Sequence, residues 1–214
     1  VELTTGQVTD AIDRATAEAQ KNGTAKNGVA VAAHLPAGTT GATLDRAALD
    51  KLISSGVRSF RLSFDGVAMS FDLAALKEIA AQTSGTLTFG AKKGSGLAGE
   101  ALAAIGTRPA YELAVTFQKD GQTVPVASFG AGRVAVEISY APAANEQTGS
   151  LYAVYADGGS AVWLDHSCYD RNMGAVLFNT NHFSVFGVGY KAPPSFTDTG
   201  NHWAGTEIDF AAGR

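Results

Sequence analysis

An α+β fold, with short helices and a predominantly antiparallel β-sandwich in the C-terminal half, follows from two features of the sequence. Between residues 27 and 108 the order strand, helix, strand occurs twice. From Pro109 onward, apolar residues recur at alternate positions between turn residues at hairpin spacing. The composition fits this reading: 214 residues, 45% hydrophobic and 17% charged, can bury a core in one large domain or two small ones. The same values exclude a disordered chain. A single Cys excludes a disulfide scaffold within the chain, and 16 basic against 20 acidic residues argue against a nucleic-acid partner. No apolar run approaches the ~20 residues of a membrane-spanning helix. The sequence opens at Val1 with no basic-then-apolar leader, which reads as a piece of a mature protein.

Residues 1–26 read as a leading helix or spacer. Thr4 and Gln7 have capping-box spacing, Val8, Ile12, Ala15 and Ala19 form one shallow stripe, and Gly23 ends it. Residues 27–108 hold an internal βαβ-like repeat. Asn27-Gly28-Val29-Ala30-Val31 recurs as Asp65-Gly66-Val67-Ala68-Met69. Asp45, Ala47, Ala48, Leu49 and Leu52 recur as Asp72, Ala74, Ala75, Leu76 and Ile79. The aspartates suit N-caps, and Gly56 and Gly85 suit helix C-termini. Such short helices fit either a split β-α-β pair or the decoration of a sandwich.

Residues 109–191 read as the sandwich. Tyr111, Leu113, Val115 and Phe117 alternate up to a hairpin at Lys119-Asp120-Gly121, and Val134, Val136, Ile138 and Tyr140 alternate again. Leu151–Tyr155, 161–164, 175–178 and a last strand over 183–190 follow, and Lys191-Ala192-Pro193-Pro194 opens a stiff linker. Residues 192–214 complete the chain.

Five groups of residues invite chemistry. Gly94-Ser95-Gly96-Leu97-Ala98-Gly99 has the spacing of a dinucleotide fingerprint, but no acidic residue stands ~20 positions on to hold a ribose, so a flexible loop is the reading. His166-Ser167-Cys168, between Asp165 and Asp170, resembles a nucleophile cluster but lies at a strand end, where polar residues and a half-buried thiol are ordinary. The histidines at 34, 166, 182 and 202 have no ligand-like spacing, so neither metal nor cofactor is expected. His182-Phe183-Ser184 is more specific: Ser184 could attack the Phe183 carbonyl with His182 as base, provided that the peptide is strained. The competing reading packs Phe183 inward on an alternating strand. Tyr152, Tyr155 and Trp163 suggest either sandwich core or stacking platforms for a glycan ligand.

The stretch Phe178–Val188, with Thr180, His182, Phe183, Ser184 and Phe186 in the order Thr-x-His-Phe-Ser-x-Phe, resembles the closing strand of a domain common in Gram-positive surface proteins. Arg108-Pro109-Ala110-Tyr111-Glu112-Leu113, Leu151-Tyr152-Ala153-Val154-Tyr155 and the doubled Ala-Ala-Leu region are similar to it too, so the resemblance spans residues 27 to 191. In the tail, Phe196, Asp198, His202, Trp203, Ala204 and Ile208 resemble the opening of an S-layer homology repeat. Only its first stretch is present, without the Thr-Arg-Ala-Glu-type glycan-contacting segment. The His-Phe-Ser order is also similar to the cleavage site of autoproteolytic sandwich domains in death-domain and inflammasome proteins.

These resemblances imply a non-catalytic spacer of an extracellular, cell-wall-associated protein, presenting upstream domains. Cell-wall polysaccharide would be met only through full-length anchor repeats. The alternatives are an autoproteolytic domain cleaving between Phe183 and Ser184, and an extracellular glycan-binding module.

Overall fold

The computed structural model describes residues 1–192, 202–205, 207–208 and 211. Its elements run β1 (Glu2–Leu3), α1 (Thr5–Lys21), β2 (Ala30–His34), β3 (Gly41–Leu44), α2 (Arg46–Ser54), β4 (Ser59–Ser63), β5 (Val67–Asp72), α3 (Leu73–Gln82) and β6 (Leu87–Lys93). Then come α4 (Gly99–Ile105), β7 (Ala110–Lys119), β8 (Gln122–Pro125), β9 (Val134–Ser139), β10 (Leu151–Asp157), β11 (Ser160–Leu164), β12 (Cys168–Asp170), β13 (Ala175–Thr180) and β14 (Val185–Tyr190). The fold is α+β and rich in sheet. No described helix is long and apolar enough to cross a membrane. Two compact units, each discontinuous in sequence, make up the chain: Val1–Lys93 with Tyr111–Val136 and Asn179–Ser184, and Gly94–Ala110 with Glu137–Phe178 and Val185 onward.

In the first unit, α1 starts at the expected capping box, Gln7 N–H donating to Thr4 Oγ1 and Thr4 N–H to Gln7 Oε1. Val8 and Ile12 are buried, and Thr5 Oγ1 donates to Asp45 at 2.9 Å, so this helix is part of the unit. Asp45 and Asp72 cap α2 and α3, accepting from Ala48 N–H and Ala75 N–H at 2.6 and 2.7 Å. Gly56 follows α2 at φ +61°, the left-handed position a C-terminal glycine serves. Gly85 does not serve α3. There the Arg46 guanidinium donates to the Ala80 and Thr83 carbonyls, closing a helix end with a side chain from α2.

The two repeats diverge in their pairing. β2 and β4 are parallel, with Ala30 opposite Ser59 and His34 opposite Ser63, and β4 pairs antiparallel with β5. After α3, however, β6 pairs antiparallel with β3 and β7 rather than returning to β5. Helix α3 therefore carries the chain from one set of strands to the other, and Phe60 and Phe71 of the first set meet Phe89 of the second edge-to-face, at 6.3 and 5.2 Å. β8, a polar Gln-Thr-Val-Pro stretch, pairs with β7 across the hairpin, whose Asp120 and Gly121 both have positive φ.

In the second unit β10 is bonded antiparallel to β14 on one side and to β11 on the other. β12 pairs antiparallel with β13. Helix α4 lays Ala104 and Ile105 on this layer, against Ala110 and Val154. Gly187 permits that approach: a Cβ there would stand 2.7 Å from Ile105 Cδ1. Gly189 likewise leaves room for the Val154 and Trp163 side chains.

Candidate functional site

The closing segment Thr180–Ser184 belongs to the first unit. Thr180 Oγ1 donates to the His182 carbonyl at 2.8 Å and accepts from His182 N–H at 3.3 Å, folding the backbone into a bend. His182 Nδ1 lies 3.4 Å from Asn181 Oδ1. Phe183 leaves the strand ladder altogether, and its ring packs edge-to-face on Phe129 and Phe71 at 4.9 and 5.9 Å. The last strand begins at Val185 instead of Phe183, whose half-buried ring packs on these two phenylalanines. Ser184 presents its carbonyl to Leu113 N–H at 2.9 Å. Asp120 is the only described non-glycine residue with positive φ, so Phe183 and Ser184 carry no left-handed strain.

The glycine-rich loop is held at both ends. Gly94 N–H donates to Ala110 O at 2.8 Å, and Ala101 N–H, in the first turn of α4, to Gly159 O at 3.1 Å. A Cβ on Gly99 would stand 2.8 Å from that same oxygen. Gly99 thus serves close backbone packing on the β10–β11 hairpin, while Gly94 packs against Ala110. In the second cluster Ser167 is buried, donating to Leu164 O at 2.6 Å and accepting from Ala153 N–H at 2.8 Å. Cys168 is exposed on β12, not half-buried, and His166 is exposed as well. Tyr152 is buried, and its ring meets that of Trp163 at 90° with centroids 5.8 Å apart. These two rings do not form one coplanar platform. No group of three potential metal ligands occurs among the described residues.

Of the tail motif, Phe196 and Asp198 lie outside the described residues. Ala204 N–H donates to His202 Nδ1 at 3.2 Å, Ile208 N–H to Ala204 O at 2.9 Å, and Trp203 is 91% exposed.

Another network of polar side chains lies where β14 ends. Arg108 reaches Glu146 with Nε and Nη2 on Oε1, both at 2.6 Å. Tyr140 donates its hydroxyl to Glu146 Oε2 at 2.5 Å, and Ala143 N–H donates to the same oxygen at 2.9 Å. The Arg108 guanidinium also stands 5.4 Å from the centre of the Tyr190 ring. Just beyond, Lys191 N–H donates to Ser150 O at 3.1 Å. Together these contacts clasp the point at which the chain leaves β14.

Burial alone would raise the Glu146 pKa, but the hydrogen bonds from Tyr140, Ala143 and Arg108, with the Arg108 charge, carry it below the usual carboxylate value. Burial first, then the bond to Glu146, raises the Tyr140 hydroxyl, which stays a donor. A carboxylate lowered by folding stabilises the protein above its unfolded pKa, and this contribution fades as pH falls through the folded pKa. Glu146→Gln is therefore expected to cost about 2 kcal/mol at neutral pH, since the Glu146 side chain is only 5% exposed and that of Arg108 21%. The difference from wild type should shrink as the pH drops below the ordinary carboxylate range, as read by urea denaturation at several pH values.

Neither Arg108 nor Glu146 carries a sequence signal for this pairing, since 38 residues separate them. Compared with known proteins, the chain matches no family model, no curated protein and no solved structure.

Proposed function

We propose that this chain is a non-catalytic structural module of an extracellular Gram-positive surface protein, holding upstream domains away from the cell wall beside S-layer homology repeats. The observation that carries this reading is the anchoring of the C-terminal strand. β14 is paired with β10 from Val185 opposite Ala156 to Tyr190 opposite Leu151. Phe186 and Val188 are buried, and the exit at Tyr190 and Lys191 is held by the Arg108 clasp and Ser150. Tension arriving from an attached tail then meets a hydrogen-bonded ladder before it reaches the core. The resemblance of residues 178–188 and of the tail to surface-protein segments supports the same reading. Contact with cell-wall polysaccharide belongs to full-length anchor repeats in the parent protein.

The test uses a parent protein with complete anchor repeats and a reporter domain placed upstream, displayed on Gram-positive cells. Deleting residues 1–191 should leave the reporter bound to the wall while lowering its accessibility to an antibody. Unchanged accessibility would contradict a presenting role. Loss of wall attachment would instead give residues 1–191 a binding function of their own, such as glycan recognition.

A further inference from the structure

Among the described residues, β2 is bonded along one edge only, to β4. Its register, with Leu35 N–H donating to Ser63 O at 3.0 Å, directs the N–H and C=O groups of Val31 and Ala33 towards β4. Those of Ala30, Ala32 and His34 point the other way, and all three residues are exposed. Edge strands are ordinarily guarded by charged side chains, prolines or bulges. Ala30-Val31-Ala32-Ala33-His34 has none of these, and the first proline, Pro36, comes after the strand.

We infer that two copies of this chain join edge to edge through β2, antiparallel about a two-fold axis at Ala32. The hydrogen-bonding pattern is self-complementary in that register. Ala32 faces Ala32 of the second copy and Ala30 faces His34, which makes each outward-pointing residue a member of a pair exchanging two hydrogen bonds. The side chains agree, because methyl groups meet at the axis and each His34 lies beside an alanine rather than the other histidine. No charged side chain on the strand opposes the approach. Antiparallel pairing also carries the exposed Pro36 and Ala37 of one copy past Ala30 of the other. An open, mainly polar groove of about 430 Å³, lined by Glu18, Ala19, Asn22, Asn27 and Arg58 among others, lies there.

A five-residue edge makes an interface well below the ~1,200 Å² of a stable complex. The dimer is consequently weak and concentration-dependent. Such a contact links neighbouring copies where the protein is crowded, and it stands independently of the presenting role proposed above.

Sedimentation of the full chain from micromolar to millimolar concentration tests this. The wild-type mass should climb from monomer towards dimer. Ala32→Pro removes an N–H that lies outside the β4 ladder, a position where an edge strand tolerates proline. It should weaken association at least ~tenfold while leaving the far-ultraviolet circular dichroism unchanged. Ala32→Glu, which places two carboxylates across the axis, should do the same at neutral pH and decides the matter if the proline variant does not fold. A wild type that stays monomeric throughout, or a dimer that survives Ala32→Glu, overturns the inference.

Discussion

Phe71→Ala should destabilise the protein by about 3–5 kcal/mol, measured by urea denaturation at neutral pH. Phe71 on β5 is fully buried, with its ring edge-to-face on Phe89, Phe129 and Phe183 at 5.2, 6.0 and 5.9 Å. Truncation removes the transfer free energy of the ring and three aromatic contacts. It also opens a cavity that three large neighbours, each held by its own strand or loop, cannot readily collapse into. Phe71→Leu keeps most of the volume and should cost roughly 1–2 kcal/mol. A Phe71→Ala loss under about 1 kcal/mol would mean that this cluster is not the core of the first unit.

Gly132→Ala is the smallest change with a comparably large effect, about 3 kcal/mol or more. A Cβ at Gly132 would land on the backbone N and Cα of Ala75 and within 2.8 Å of the Ala74 carbonyl carbon. The obstruction is main chain at the first turn of α3, so no side-chain rotamer relieves it. Relief requires moving the loop away from the helix. That movement breaks the bonds by which Asp72 accepts from Arg133 N–H at 3.0 Å and donates its own N–H to Arg133 O at 3.1 Å. Gly38 is the internal control. It has positive φ but nothing within 4 Å of its would-be Cβ, so Gly38→Ala should cost only about 1 kcal/mol of backbone strain. Equal losses for the two variants, read as thermal midpoints, would contradict the steric argument.

Legibility in the sequence followed the range of the interaction. Caps at Thr4, Asp45 and Asp72 depend on groups three residues away, so spacing reveals them. The alternation in β7 and β9 is likewise local, and it implies the sheet-rich α+β fold that the structure has. Pairing partners were not legible. α3 resembles α2 in sequence, yet it delivers β6 to β3, a choice made by how Phe89 packs against Phe60 and Phe71. Phe183 looked like one more alternating residue, and only the Phe71–Phe129 pocket explains why it leaves the ladder. The Arg108–Glu146–Tyr140 clasp was invisible for a related reason. Each member reads as an ordinary loop or strand-end residue, and the buried pairing arises only when two distant loops close on the end of β14.

In the module proposed above, the closing segment is a structural part of an intact chain. Phe183 is an aromatic anchor, and the Ser184 carbonyl is a hydrogen-bond partner of Leu113. Intact-mass spectrometry of freshly purified protein held for days at neutral pH tests this most directly, with Ser184→Ala in parallel. The expected result is one species at the full-chain mass in both samples. Two products, residues 1–183 and 184–214, in the wild type but not in Ser184→Ala would contradict it and make the Phe183–Ser184 bond a site of self-cleavage.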